Sequence, residues 1–271
     1  HFFEPGLDQT MRNRRVLAEE LRTALAAGQL ELHYQPLVSL TTNEIRGVEA
    51  LIRWQHPERG MISPADFIPL AEETGLIVSI GDWAIWTACE TVAAWPGQMT
   101  VAVNLSPVQF RKPGLMQTVV GALAASQLDA RRLELEITES LLLDARPSVI
   151  DTLHQLRSLG VRISLDDFGT GYSSLSYLQS FPFDKIKIDR SFIKNLGINQ
   201  SAAAIVTAIV GLAKALEMSV TAEGVETKEQ QGLARECGCT EYQGYLFSRP
   251  RPAQEIEASF LTEGAALNAA A

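Results

Sequence analysis

The chain has 271 residues, 46% of them hydrophobic and 20% charged, with a formal net charge of −9. That composition is globular with length enough for a sizeable core, and its acidity excludes a general nucleic-acid-binding surface while still admitting a small phosphorylated ligand held through metal ions. No apolar run approaches the roughly 20 residues that cross a bilayer and no charged-then-apolar leader opens the chain, so this segment reads as soluble and cytoplasmic, with any membrane anchor left to absent domains. Cys89, Cys237 and Cys239 are too few for a disulfide framework and read as reduced thiols.

The chain opens on His1, and its first residues are irregular. Residues 1–12 are expected to be a linker from an absent upstream domain, residues 13–262 a single barrel domain, and residues 263–271 an alanine-rich flexible tail. A helix is predicted over 13–27, where Val16, Leu17, Leu21 and Leu25 fall near helical spacing before Gly28. Strand-like segments follow at 31–37, 45–52, 100–104, 133–137, 161–166, 185–188, 218–222 and 241–245. Helical patterns lie between most of them, at 64–73, 82–94, 115–126, 148–159, 173–178, 202–216 and 228–236. Repeated strand–helix units imply parallel pairing, and eight strands of this kind match an α/β, TIM-like (β/α)8 barrel better than an open doubly wound sheet. The first two segments are joined by a turn near residues 41–43 that is too short for a crossover helix, so the first strand should run antiparallel to the second.

Alternate residues of a barrel strand face opposite ways. Leu133, Leu135 and Ile137 alternate with Glu134 and Glu136, and Val161, Ile163 and Leu165 alternate with Arg162, Ser164 and Asp166. Ile186 and Ile188 alternate with Lys185 and Lys187, and Met218, Val220 and Ala222 with Ser219, Thr221 and Glu223. The apolar set should meet the outer helices, leaving the polar set inside. Unpaired buried charge is costly, so Glu134 is expected to pair with Arg162 or Lys185 low in the barrel.

Working residues of such barrels sit at the carboxyl ends of the strands. Here those ends carry Glu49, Asn104, Glu136, the pair Asp166-Asp167, Lys187, Glu223 and Gln243. Two carboxylates roughly 4 Å apart repel by several kcal/mol at an intermediate dielectric, and a cation is the natural relief. Oxygen donors throughout favour Mg2+ or Mn2+ over a metal that prefers thiolate or imidazole. Arg53, four residues after Glu49 with matching strand parity, is placed to offer its fork of donors to a phosphate oxygen.

The run Gly47-Val48-Glu49-Ala50-Leu51-Ile52-Arg53-Trp54 resembles the signature of the EAL domain family of cyclic di-GMP phosphodiesterases. Tyr34-Gln35-Pro36, Val103-Asn104-Leu105-Ser106-Pro107 and Glu136-Ile137-Thr138-Glu139 also resemble that family's motifs. So do Asp166-Asp167-Phe168-Gly169-Thr170-Gly171-Tyr172-Ser173, Lys187-Ile188-Asp189, Ala222-Glu223-Gly224-Val225-Glu226 and Gln243-Gly244-Tyr245, all in the family's order. The resemblance runs from about Leu30 to Phe260. It implies that Glu49, Asn104, Glu136 and Asp166 hold one ion while Asp166, Asp167 and Glu223 hold a second, giving two Mg2+ or Mn2+ per site that activate water against a phosphodiester.

The same resemblance implies that Lys187 orients the attacking water, with Glu223 and Glu49 as its catalytic partners. Gln35, Leu51, Arg53 and Gln243 would contact the nucleotide, and Glu139 would anchor the loop after Asp167, whose Gly169 and Gly171 give it freedom to move. In relatives that loop lies near a dimer contact, so a homodimer is implied. Phe2-Phe3-Glu4-Pro5-Gly6 resembles the junction that follows a diguanylate cyclase (GGDEF) domain, which is the expected upstream neighbour. The implied activity is hydrolysis of cyclic di-GMP to linear pGpG, lowering a bacterial second messenger. The alternative is a catalytically inactive cyclic di-GMP receptor, which the family marks by lost metal ligands or a lost lysine, and none is lost here.

His56 has no second histidine at ligand spacing and is expected at the surface. Trp83, Trp86 and Trp95 fall at helical intervals and are expected to pack rather than stack on bases.

Overall fold

The computed structural model describes residues 5–143, 147–169, 178 and 181–261. Its strands are β1 (Leu30–Ser39), β2 (Ile45–His56), β3 (Gly60–Ile62), β4 (Thr100–Asn104), β5 (Leu133–Thr138), β6 (Arg162–Phe168), β7 (Lys185–Ile188), β8 (Ser219–Ala222), β9 (Glu241–Tyr242) and β10 (Arg251–Pro252). A closed barrel runs β1-β2-β4-β5-β6-β7-β8-β9 and returns to β1. Neighbours from β2 round to β9 are parallel, whereas β1 is antiparallel to both β2 and β9. The short turn between β1 and β2 leaves a hairpin as its only pairing, and closure excludes the open sheet. The short β3 and β10 extend the ladder antiparallel to β2 and β1, and neither was visible as a periodic run.

Leu133, Leu135, Ile137, Ile163, Leu165, Ile186 and Ile188 face outward and share one core with helix residues such as Ala84, Ile85, Val119, Leu153, Leu156 and Val206. Each such aliphatic side chain removed from water contributes on the order of 1.5–3 kcal/mol. The expected helix over 82–94 spans Ile77–Ala93, because its first turn buries Ile77 and Ile80 as well and so lacks a polar face. The opening helix spans Pro5–Ala24, so it takes in residues 5–12, a stretch with no apolar stripe to announce it. Its Leu21 and Ala24 join Trp54, Phe67 and Ile80 in a second, smaller cluster over the β2–β3 corner. The expected helix over 173–178, apart from Leu178, and the tail over 263–271 lie outside the described residues, as does Gly171.

Polar residues occupy the barrel axis, as parity required. Low in the barrel, Lys185 Nζ lies 3.0 Å from Glu134 Oε2 and 2.9 Å from Glu241 Oε2, with all three groups largely sealed from water. Of the two expected partners of Glu134 it is Lys185 that pairs. Arg162 stands at the first residue of β6 and is exposed.

Two expectations about single side chains need correction. His56 is 5% exposed, not a surface residue: Nδ1 accepts from the backbone N–H groups of Glu58 and Arg59, both at 3.2 Å, and locks the β2–β3 turn. Trp95 is buried and Trp83 packs against the core, but Trp86 is 43% exposed, its ring lying over Gly121. The three cysteines are free, and burial pushes the Cys89 and Cys239 thiols up to about 12, consistent with inert packing groups. Among the described residues no single helix is long and apolar enough to cross a membrane.

Candidate active site

Above the Glu134 layer the same inward parity delivers a second polar layer. Glu49 comes from β2, Glu136 from β5, Asp166 from β6 and Lys187 from β7, while Glu223 directly follows β8. Lys187 is 1% exposed and sits at the centre. Its Nζ lies 2.8 Å from Glu136 Oε2, 2.8 Å from Glu223 Oε1, 3.2 Å from Asp166 Oδ1 and 3.4 Å from Glu49 Oε2. Asn104 Nδ2 donates to Glu49 Oε1 at 2.7 Å, and Gln243 Nε2 donates to Glu49 Oε2 at 2.7 Å and to Gln35 Oε1 at 3.0 Å. Gln35 faces Glu49 across the β1–β2 ladder and donates to Ser248 O at 3.1 Å. Eight residues singled out from the sequence therefore form one connected polar set.

Asp167 joins them through a break in strand alternation. Adjacent residues of a regular strand face opposite ways, which would turn Asp167 away from Asp166. Instead the β6–β7 register shifts between Leu165 and Phe168, and Asp167 takes φ 55°, a left-handed conformation rare for a residue with a Cβ. Its backbone N–H donates to Asp166 Oδ1 at 3.0 Å. As a result Asp166, Asp167 and Glu223 offer carboxylate oxygens all within 4.8 Å of one another. One residue on, Gly169 donates its N–H to Glu139 Oε1 at 2.9 Å, so Glu139 does tether the start of the loop after β6.

Packing this many carboxylates around one ammonium leaves negative charge uncompensated. Burial would raise the Glu49 pKa, but Lys187 and the Gln243 and Asn104 donors hold it below the ordinary value. Burial and the Glu49 charge push Glu136 well above the carboxylate range despite Lys187. Burial lifts Glu223 to about 8, with Lys187 opposing and Asp166 adding to the rise, and burial together with Asp166 raises Asp167. The four carboxylates outweigh burial at Lys187 and hold its pKa well above the ordinary lysine value. Glu136 Oε1 and Gln243 Oε1 are buried with no hydrogen-bond partner. Unsatisfied buried oxygens beside clustered carboxylates are what a hard divalent cation would satisfy, so the donor set fits Mg2+ or Mn2+.

Over this layer lies an open pocket of about 530 Å3. Gln35, Glu49, Leu51, Asp167, Glu223 and Gln243 line it, together with Asp189, Arg190, Glu226 and Tyr245. Those last four carried no assigned role in the sequence, although Asp189 and Arg190 directly follow a strand end and Tyr245 closes the Gln243-Gly244-Tyr245 motif. Tyr245 is 51% exposed, with the Arg249 guanidinium 4.1 Å from its ring centroid. Arg53 instead lines a neighbouring apolar cavity of about 360 Å3, which shares Leu51 with the first. Its Nη1 donates to Ile52 O at 2.9 Å, and burial lowers its pKa against nearby Tyr245 and Glu49.

The profile of the EAL domain matches residues 18–250. The chain belongs to the EAL domain family. It is 45% identical over 262 residues, 95% of this chain and 38% of the relative, to the bifunctional diguanylate cyclase/cyclic di-GMP phosphodiesterase MucR of Pseudomonas aeruginosa. It superposes on the solved PaMucR phosphodiesterase, a c-di-GMP complex, with a TM-score of 0.85 at 46% identity, covering 89% of this chain and 99% of that one. A manganese/cy-diGMP complex of Klebsiella pneumoniae BlrP1 matches at 30% identity with a TM-score of 0.73, covering 82% of this chain and 56% of that one. The chain spans about a third of the length of the curated relatives it matches. In this EAL domain the Glu49-Ala50-Leu51 signature lies mid-β2, where Glu49 faces the axis and Leu51 the pocket.

Proposed function

We propose that this EAL domain hydrolyses cyclic di-GMP to linear pGpG. The observation that carries the reading is the convergence of the Asp166, Asp167 and Glu223 oxygens within 4.8 Å beside a buried lysine. Glu49, Asn104, Glu136 and Asp166 would hold one divalent ion, and Asp166, Asp167 and Glu223 a second, each Mg2+ or Mn2+. When bound, such ions neutralise the phosphodiester and lower the pKa of water.

The chain's own groups then order the reaction. Lys187 orients the attacking water and stabilises the negative charge that develops on it. Glu223, whose Oε1 lies 2.8 Å from Lys187 Nζ directly after β8, is the carboxylate placed to take a proton from that water. The water oxygen forms a bond to phosphorus as the bond to the ribose 3′ oxygen breaks, leaving a 5′-phosphate on the linear product. Glu49, fixed by Asn104 and Gln243, keeps Lys187 in place from the opposite side. Gln35 from β1, Leu51 from β2 and Gln243, directly after β9, bound the nucleotide, and Arg53 offers a guanidinium to the part of it that enters the adjoining cavity. Glu139 holds the start of the loop that follows Asp167.

The whole protein is proposed to place this domain in the cytoplasm, downstream of a sensory or GGDEF domain and as a homodimer. Support for the upstream domain comes from the MucR name, which joins both activities, and from the third of relative length that the chain spans. Chromatography of cyclic di-GMP incubated with the protein and Mg2+ or Mn2+ tests the activity. Formation of pGpG that is lost in Asp166→Ala and Glu49→Ala, with both variants folded, is expected. Tight binding without turnover would establish a receptor instead.

A further inference from the structure

The pocket above the carboxylate layer is bounded by Asp167, Asp189, Glu223 and Glu226, and by one cation, Arg190. Arg190 is exposed, and no hydrogen bond or ion pair joins its guanidinium to any described residue. Its neighbour Asp189 is committed elsewhere: it caps the helix Arg190–Lys194 by accepting from the Ser191 N–H at 3.0 Å.

The root of the arginine is nonetheless fixed. Gly224, at φ +65°, packs so closely that a Cβ there would lie 2.4 Å from Arg190 Cβ and 3.4 Å from its Cα. That contact clamps the segment after β7 to the loop after β8, one residue from Glu223. A planar fork of donors held beside carboxylates yet bonded to none of them is available to an incoming anion.

Cyclic di-GMP carries two phosphodiesters, and hydrolysis engages one. Lys187 is enclosed by four carboxylates and 1% exposed, so it cannot serve the second. Arg53 lines the adjoining cavity rather than this pocket. Taking the site as a cyclic di-GMP hydrolase, we infer that Arg190 binds the phosphodiester that stays intact and thereby sets affinity rather than rate.

Steady-state kinetics and equilibrium binding of cyclic di-GMP on the wild-type domain, Arg190→Ala and Arg190→Lys test this. Loss of one charge-assisted contact should raise KM and Kd in Arg190→Ala by about tenfold to a hundredfold. Its kcat should stay within about twofold, the pattern of a contact made equally in ground and transition states. Lysine keeps the charge but not the fork and should recover part of the loss, and the gap should narrow at about 0.5 M salt. An unchanged KM and Kd in Arg190→Ala, or no recovery by lysine, overturns the inference while leaving the phosphodiesterase reading standing. Wild-type protein that binds but does not cleave overturns the phosphodiesterase reading, and the Kd ratio still decides the role of Arg190. Wild-type protein that neither binds nor cleaves overturns both.

Discussion

Lys187 Nζ lies 2.8 Å from Glu136 Oε2, and the two side chains, one from β7 and one from β5, are sealed inside the barrel at 1% exposure each. Glu49, Asp166 and Glu223 close around the same nitrogen. The lysine is thus both a chemical group of the site and the counter-charge that lets the carboxylates coexist.

Replacing Lys187 by Met should therefore destabilise the metal-free protein by about 3–5 kcal/mol, the cost of leaving buried charge unpaired. Added Mn2+ should restore more stability to the variant than to the wild type. Denaturant unfolding with and without Mn2+ measures both, and equal stability of the two metal-free proteins would contradict the central role of Lys187.

Glu223 contributes to the pH dependence together with Glu136 and Asp167, whose pKa values are also raised. Its folded pKa of about 8 lies above its ordinary 4.5, so across that window the native metal-free protein holds a proton that the unfolded chain releases. Stability contributed by the group is full below the ordinary value and is lost as pH rises through about 8. Metal binding needs the carboxylate ionised, so apparent Mn2+ affinity should climb over the same window, by up to about tenfold per pH unit. Calorimetric titration of Mn2+ at several pH values, set against Glu223→Gln, reads the effect; parallel pH slopes in the two proteins would exclude Glu223 as a source.

The lower layer predicts a separable effect. Lys185→Met would leave Glu134 and Glu241 facing each other without their shared cation, at a cost of about 3–5 kcal/mol. Turnover per folded molecule should change little, because among the described residues Lys185 forms its ion pairs with Glu134 and Glu241 and none with the upper layer. A fall in turnover without a fall in unfolding midpoint would be the contrary result.

At the loop after β6, Glu139→Ala would remove the acceptor of the exposed Gly169 N–H, a net loss of about 0.5–1.5 kcal/mol. Displacement of Asp167 should follow, seen as weaker Mn2+ binding and lower kcat, with Glu139→Gln keeping an acceptor and recovering most of both. Wild-type kcat in the alanine variant would show that the tether does not position the site.

Much of this architecture was legible from alternation alone. Glu134 and Glu136 between leucines, and Lys185 and Lys187 between isoleucines, announce which face is inside, because a barrel strand has one polar and one apolar side. Alternation does not report enclosure, and so it could not choose between Arg162, the register partner of Glu134 that nonetheless reaches solvent at the first residue of β6, and Lys185, which is enclosed. Nor could it reveal that Asp167 turns to join Asp166, since the reversal depends on a positive φ that strand periodicity forbids and the surrounding fold must sustain. His56 escaped because its burial comes from a turn whose backbone N–H groups donate to its ring, and Arg190 because it lies two residues beyond a strand end, where it packs against Gly224 on another loop.

Hydrolysis in water enriched in heavy oxygen gives the most direct measurement of what this constellation does. With Mn2+ present, cyclic di-GMP should yield pGpG bearing one heavy oxygen on its 5′-phosphate, and chelation of the metal should abolish the product. Recovery of intact cyclic di-GMP from protein shown to be folded and loaded with Mn2+ would contradict the assignment.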